Sequence, residues 1–113
     1  MQEFSGRTAV ITGGASGIGL GMARSFAKRG MQLVLADLNE ELLKAAEQEF
    51  SAAGVDVVSQ ICDASKLDQV ERLAETALDR FGGVHVVCSN AGVGIPTSAR
   101  NVKLSDWEWI INV

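Results

Sequence analysis

The sequence has no tyrosine, a single proline and only two cysteines among its 113 residues, and it has no run of basic residues. The cysteines, Cys62 and Cys88, lie in apolar, strand-like segments and lack the spacing of metal ligands. We therefore expect reduced core residues and no metal site. The net charge is −4, with basic residues scattered among acidic ones, so nucleic acid is not an expected partner.

Long hydrophobic stretches are also missing. No apolar run is long enough to span a bilayer, so we expect no membrane partner. Residues 1–4 lack the basic start and apolar run of a signal peptide, and we expect a cytoplasmic protein. Hydrophobic residues make up 47% of the chain and charged residues 21%, as in a globular protein. The length predicts one small domain, without repeats or linkers.

Apolar runs and amphipathic segments alternate along the chain. The β-branched apolar runs predict strands at residues 8–12, 33–36, 55–61 and 84–88. Apolar residues at helical spacing predict helices at residues 17–29, between the cap Asn39 and Gly54, and between Ser65 and Gly82. A last helix is predicted from Ser105, after a loop with Pro96, on a capping pattern. Ser65 with Asp68 and Ser105 with Glu108 have the spacing of capping boxes, which close the first turn of a helix.

This alternation indicates the fold class. Strands separated by helices of more than ten residues pair in parallel through right-handed crossovers. Continuous apolar strands agree with this, since a parallel sheet is covered on both faces. We predict an α/β fold with a doubly wound parallel sheet of Rossmann type, whose four strands have the order 3-2-1-4.

Five of the 12 glycines lie within residues 13–21, directly after the first strand. In such a sheet, ligands bind beyond the carboxyl ends of the strands, where the strand order reverses. Gly13 would permit a sharp exit from the strand, Gly17 a close approach of phosphate, and Gly19 tight packing of the helix on the sheet. The free amides of the helix N-terminus suit a pyrophosphate. A turn without a ligand would need only one glycine.

The spacing of these glycines distinguishes between the known types of nucleotide-binding loop. A Walker-type loop needs lysine after its second glycine, where this chain has Leu20. The fingerprint G-x-G-x-x-G fails because Met22 stands where the last glycine is required. The pattern that fits is T-G-x-x-x-G-x-G, from Thr12 to Gly19.

That pattern resembles the short-chain dehydrogenase/reductase family, and further segments extend the resemblance over all 113 residues. "SNAG" at residues 89–92 is similar to the family's N-N-A-G, and "DWEWIINV" resembles its fourth helix, with an asparagine at Asn112. Asp63 matches an acidic residue near the adenine ring. Ser89 in place of asparagine and His85 in place of a frequent aspartate depart from the family pattern, and we expect His85 to be structural.

The resemblance implies a cofactor site on four loops. Its cofactor-binding residues would be Gly13, Ser16, Gly17, Ile18, Gly19, Asp37, Leu38, Cys62, Asp63, Ala64, Asn90, Ala91 and Gly92. Asn90 and Gly92 would shape the loop beside the nicotinamide ribose. Asp63 has a plainer alternative as an ordinary turn acid.

Asp37 indicates which dinucleotide binds. It lies 24 residues after Gly13, at the end of the second strand, close to the offset of a ribose-binding acid. Its carboxylate would accept hydrogen bonds from both ribose hydroxyls and repel a 2′-phosphate. Relatives that prefer NADP carry a basic residue where this chain has Ser16 or Leu38, so we predict NAD. The alternative for Asp37 is a helix cap, a role that Asn39 already offers.

The family's catalytic residues limit the activity that can be expected of this chain. Its reaction is hydride transfer between nicotinamide and an alcohol or carbonyl carbon, with a Tyr-x-x-x-Lys pair and a serine that this chain lacks. Of the family's catalytic residues, only the asparagine has a match, at Asn112, where it would have a supporting role. The alternative is that Asn112 is an ordinary polar residue of the helix. We expect residues 1–113 to be the N-terminal, cofactor-binding part of a single domain, cut within the fourth helix and inactive alone. The intact protein would be a homo-oligomer acting on a small-molecule alcohol or carbonyl.

Two other functions stay open at this point. An S-adenosylmethionine-dependent methyltransferase also places a glycine loop after its first strand and an acid after its second. A non-catalytic dinucleotide-binding protein would keep the fold without turnover.

Overall fold

The computed structural model describes residues 3–93 and 98–113, so the predicted loop at Pro96 lies outside the described residues. Within them, four strands form one parallel sheet in the order β3-β2-β1-β4. The strands are β1 (Thr8–Thr12), β2 (Gln32–Asp37), β3 (Val57–Ile61) and β4 (Val86–Cys88). The helices are α1 (Gly17–Lys28), α2 (Glu40–Ala52), α3 (Leu67–Phe81) and α4 (Leu104–Asn112). The predicted fold class and strand order are confirmed.

Each face of the sheet has its own apolar core. Alternate residues of the central strands β1 and β2, such as Ile11 and Leu35, pack with α1 and α2 residues on one face. The intervening residues, such as Val10 and Val34, pack on the other face with Leu73 of α3. This two-sided burial explains why the central strands read as continuous apolar runs. Among the described helices, none has both the length and the hydropathy to cross a membrane.

Local hydrogen bonds confirm some predicted helix ends and correct others. Asn39 Oδ1 accepts the Leu42 N–H at 3.0 Å, so Asn39 caps α2 as predicted. Gly82 ends α3 with a φ of +76°, a left-handed conformation that suits glycine. The predicted cap Ser65 is wrong, because α3 begins after Lys66 and the Ser65 hydroxyl donates to Asp63 instead.

The start of α4 differs from the prediction in the same way. The helix begins at Leu104, one residue before Ser105, with Lys103 as the cap residue, so the predicted Ser105–Glu108 capping box is wrong. The Asp106 carboxylate accepts the Lys103 N–H at 3.3 Å, so an acid one turn into the helix closes it. α4 has no buried residue.

β3 and β4 are shorter than predicted. The Val55 N–H donates to the Phe50 carbonyl at the end of α2, which places Val55 in the turn before β3. β4 starts at Val86 because His85 pairs with β1 partly through its side chain. The His85 N–H donates to the Thr8 carbonyl at 2.9 Å, and the Thr8 N–H donates to His85 Nδ1 at 3.0 Å.

This contact gives His85 the structural role expected for it. Thr8 is fully buried, so its N–H requires an acceptor within the protein. An aspartate, frequent at this position in the family that the sequence resembles, carries Oδ1 on the same γ-carbon that carries Nδ1 in histidine. Either side chain can therefore extend the ladder between β1 and β4.

Replacing His85 tests this role. His85→Ala leaves the buried Thr8 N–H without an acceptor and is expected to lower the free energy of unfolding by about 1–2 kcal/mol. His85→Asn keeps an acceptor on the γ-carbon and is expected to stay within about 0.5 kcal/mol of the parent. Urea unfolding measures both values, and an equal loss in the two variants would contradict the assignment.

Candidate functional site

The carboxyl ends of all four strands meet at one edge of the sheet, and an open cleft of about 280 Å³ lies there. Every cofactor-binding residue predicted from the sequence lines this cleft except Gly17, Ile18 and Gly19. Val93 and Val113 line it as well and were not predicted. Asn112 does not line it and is exposed as the last residue of α4. The fold thus gathers residues from four separate loops into one concave site.

The three residues outside the cleft form the start of α1. Ser16, at the N-cap position, makes no side-chain hydrogen bond to the helix, and the first turn contains no acidic residue. The first amides of a helix have no partner within the helix, and its dipole gives this end a partial positive charge. Ile18 is 77% exposed. This helix end therefore offers N–H groups and positive potential to an anion.

The three glycines predicted in the first loop, Gly13, Gly17 and Gly19, each have an observable reason. Gly13 and Gly17 have φ values of +65° and +55°, which residues with a side chain rarely adopt. A Cβ on Gly17 would meet nothing within 4 Å, so the space above this backbone is open. A Cβ on Gly19 would lie 2.1 Å from the Gly13 carbonyl oxygen. Gly19 is therefore needed for contact between α1 and its own loop, whereas the prediction was contact with the sheet.

Both carboxylate oxygens of Asp37 accept a backbone hydrogen bond, and one of these bonds comes from the glycine loop. Its Oδ2 accepts the Ala15 N–H at 3.2 Å, and its Oδ1 accepts the Asn39 N–H at 3.1 Å. The cap of α2 is Asn39, so the alternative in which Asp37 caps that helix is wrong. Each oxygen retains a lone pair for a further donor. Asp37 is thus a fixed, half-buried acceptor on the wall of the cleft.

Asp63 is oriented by the turn that follows β3. Its Oδ1 accepts the Ser65 N–H at 2.9 Å and the Ser65 hydroxyl at 2.6 Å. These hydrogen bonds hold the pKa of Asp63 below its usual range, so it is an ionised acceptor at neutral pH. The hydrogen bonds to Ser65 agree with the alternative that Asp63 is an ordinary turn residue. Its position on the cleft agrees with a binding role as well.

Thr12 and Asn90 join the loops that follow β1 and β4. The Thr12 hydroxyl oxygen accepts the N–H groups of Asn90 and Ala91 at 3.0 and 3.1 Å. Asn90 Nδ2 donates to the carbonyls of Thr12 and Gly13 at 3.1 and 3.3 Å. Asn90 therefore shapes the loop, as predicted. The sequence analysis did not predict this role of the Thr12 hydroxyl. The feature that could have indicated it is a threonine directly before the first glycine of the loop.

Cys62 lines the cleft with little exposed surface, and Cys88 lies half-buried in β4. Both thiols are free, and burial raises the pKa of each, so both stay protonated at neutral pH. Across residues 3–93 and 98–113, no group of three or more histidine, cysteine or acidic side chains is placed to hold a metal ion.

Comparison with known proteins relates this cleft to one family. The family model described as "short chain dehydrogenase" matches residues 7–113. The CLA biosynthesis dehydrogenase/reductase of Lactiplantibacillus plantarum is 33% identical over 113 residues, which are 100% of this chain and 40% of that protein. The chain therefore spans about two fifths of the length of this relative.

Solved structures agree with the sequence match. A short-chain dehydrogenase/reductase from Burkholderia phymatum, in complex with NAD, superposes with a TM-score of 0.97 at 42% identity. It covers 100% of this chain, which covers 40% of it. A metagenomic short-chain oxidoreductase in complex with NADP has a TM-score of 0.87 at 36% identity, with coverages of 96% and 49%. Structures of this type thus occur with either dinucleotide.

Two glycines of α1 test the close contact in the loop. In Gly19→Ala the new methyl group meets backbone that cannot move freely, and we expect a loss of about 2–3 kcal/mol in the free energy of unfolding. Gly21→Ala, in the same helix, meets nothing within 4 Å and is expected to gain up to about 1 kcal/mol. Thermal unfolding compares the pair, and a Gly19→Ala variant as stable as the parent would refute the contact.

Proposed function

The chain belongs to the short-chain dehydrogenase/reductase family, and we propose that it forms the cofactor-binding part of an NAD-dependent oxidoreductase that interconverts an alcohol and a carbonyl. The observation that carries this proposal is the cleft itself. It places an uncapped helix N-terminus, an ordered carboxylate at the end of β2 and an acidic turn after β3 along one edge of the sheet.

The pyrophosphate would bind at the start of α1. Gly17 has open space above its backbone, so a phosphate can approach the amides of the first turn without meeting a side chain. Gly13 and Gly19 keep the loop tight against Asn90, which sets the position of these amides. The residues present therefore fit a dinucleotide. When bound, its nicotinamide ring supplies the hydride acceptor or donor.

The adenosine ribose would bind at Asp37. Each carboxylate oxygen is held by one backbone N–H and can accept a second hydrogen bond, from the 2′- or the 3′-hydroxyl. Because both oxygens are held, the side chain cannot rotate away from a 2′-phosphate. Ser16 and Leu38, which also line the cleft, bring no positive charge to neutralise one. These contacts support NAD over NADP.

The remaining residues extend the site in two directions. Asp63 and Ala64 would lie beside the adenine ring, and the ionised carboxylate of Asp63 can accept from its amino group. Ala91 and Gly92, with Asn90, would form the wall beside the nicotinamide ribose. The supporting catalytic role of Asn112 stays a prediction that depends on its match to the family pattern.

Residues 1–113 contain no tyrosine, so the proposed reaction of the whole protein would need catalytic residues from outside this chain. We propose that residues 1–113 are the N-terminal part of a single dinucleotide-binding domain, which agrees with their spanning 40% of the length of the Lactiplantibacillus plantarum relative. Homo-oligomer formation and a small alcohol or carbonyl substrate remain predictions. A protein that binds the dinucleotide without turnover is the second candidate, and a continuation without Tyr-x-x-x-Lys would favour it. The match of the family model over residues 7–113 leaves the methyltransferase without support.

Calorimetric titration with NAD, NADP and S-adenosylmethionine tests the proposed ligand. We expect NAD to bind at least about tenfold more tightly than NADP, because a fixed carboxylate close to a 2′-phosphate costs about 1–2 kcal/mol or more. No binding of S-adenosylmethionine is expected. Equal or tighter binding of NADP would contradict the cofactor assignment, and binding of S-adenosylmethionine alone would overturn the function.

Removing the charge of Asp37 tests whether this residue causes the preference for NAD over NADP. Asp37→Asn keeps an acceptor oxygen but not the negative charge, so we expect the preference for NAD over NADP to fall about tenfold. Asp56→Asn makes the same change on an exposed residue just before β3, at the opposite edge of the sheet, and is expected to leave the preference unchanged. If both variants shift the preference equally, Asp37 does not select the cofactor.

A further inference from the structure

Gln69 lies outside the cleft but bonds directly to a residue that lines it. It is the third residue of α3, and its Oε1 accepts the backbone N–H of Asp63 at 2.7 Å. Gln69 itself lines a separate groove between α3 and β3. We propose that Gln69 is a positioning residue that fixes Asp63 for recognition of the adenine amino group. This inference rests on the proposed function and assigns a specific contact within it.

The bond from Gln69 is unusual for a helix start. A glutamine at the third helical position commonly reaches back to the N–H of the cap residue. Here the cap residue is Lys66, and its N–H donates to the Asp63 carbonyl at 3.0 Å. Gln69 therefore reaches three residues further, to the Asp63 N–H. Both backbone polar groups of Asp63 are thus bonded at the start of α3, one to the cap residue Lys66 and one to Gln69 in the first turn.

The side chain of Asp63 is held separately. Ser65 donates two hydrogen bonds to Oδ1, and Oδ2 accepts none from the described residues. The backbone of Asp63 is fixed from α3 and its carboxylate from Ser65, which leaves Oδ2 for an outside donor. An adenine presents an amino group as a donor, whereas a hypoxanthine presents a carbonyl oxygen, which an ionised carboxylate repels.

The loss of Gln69 has a specific expected effect. Without its acceptor, the Asp63 N–H must turn toward water, and the peptide that carries the carboxylate turns with it. Oδ2 would then no longer face the adenine amino group. The contacts at Asp37 and at the start of α1 come from other loops and would persist. Recognition of the base should therefore weaken while the rest of the dinucleotide still binds.

The test compares NAD with nicotinamide hypoxanthine dinucleotide, which differs only in the base. By calorimetry, the parent protein is expected to bind NAD about tenfold more tightly than the hypoxanthine dinucleotide. In Gln69→Met, which keeps the side-chain length but loses the acceptor, the preference should fall to about twofold. Gln69→Glu keeps an acceptor oxygen at the same position and should restore the preference. Amide hydrogen exchange should be faster at Asp63 in Gln69→Met and unchanged in Gln69→Glu.

Other results would overturn the proposal in distinguishable ways. If the parent protein binds both dinucleotides equally, Asp63 does not read the base, and the inference fails while the proposed function stands. If Gln69→Met weakens both ligands by the same factor, Gln69 is only structural. If the parent does not bind NAD, the proposed function fails and this inference with it. Should Gln69→Met not fold, Gln69→Asn, which keeps the amide but is too short to reach Asp63, replaces it with the same expected result.

Discussion

The site depends on the parallel pairing of β1 with both β2 and β4. In this register Thr12 lies opposite Ala36, and Ile11 lies opposite Cys88, so the chain leaves all three strands at the same level. The crossovers through α1 and α3 run on opposite faces of the sheet, which opens a crevice above β1. This pairing brings the loops after β1, β2 and β4 to the crevice, and the pairing of β3 with β2 adds the loop with Asp63.

Within this frame the glycine loop is held from both sides. On the β2 side, Asp37 accepts the Ala15 N–H, and the Gly14 N–H donates to the Ala36 carbonyl at 3.1 Å. On the β4 side, Asn90 donates to the carbonyl of Gly13. These bonds fix a backbone with two left-handed glycines before any ligand arrives. A ligand that binds there would meet amides already in place, so little ordering of the loop would oppose binding.

Much of the fold could be predicted from the sequence because it depends on local pattern and general topology. Apolar periodicity located the four strands and the first three helices, a capping pattern indicated the last helix, and the doubly wound topology supplied the strand order. The helix starts at Ser65 and Ser105 were predicted wrongly, because a capping pattern does not reveal which partner a side chain prefers. Ser65 has a carboxylate two residues before it, and its hydroxyl donates there rather than to the helix.

The candidate site divides in the same way. The glycines and Asp37 were predicted because their spacing from β1 is characteristic. The contacts of Thr12 were missed, since its hydroxyl meets Asn90 and Ala91 across 78 and 79 residues of sequence, which only the folded sheet brings together. Gln69 was missed for a different reason. It lies six residues from Asp63, yet its side chain reads as an ordinary surface residue of an amphipathic helix.

The two roles of Asp37 have a consequence for cofactor choice. The carboxylate that would bind the ribose also accepts the Ala15 N–H, which belongs to the loop that would bind the pyrophosphate. A substitution that removes the acid to admit a 2′-phosphate also removes this acceptor and loosens the loop. A basic residue at Leu38 would leave Asp37 and its bonds intact while neutralising part of the added charge. In this chain, a change of specificity is therefore structurally easier by adding a cation beside Asp37 than by deleting the carboxylate.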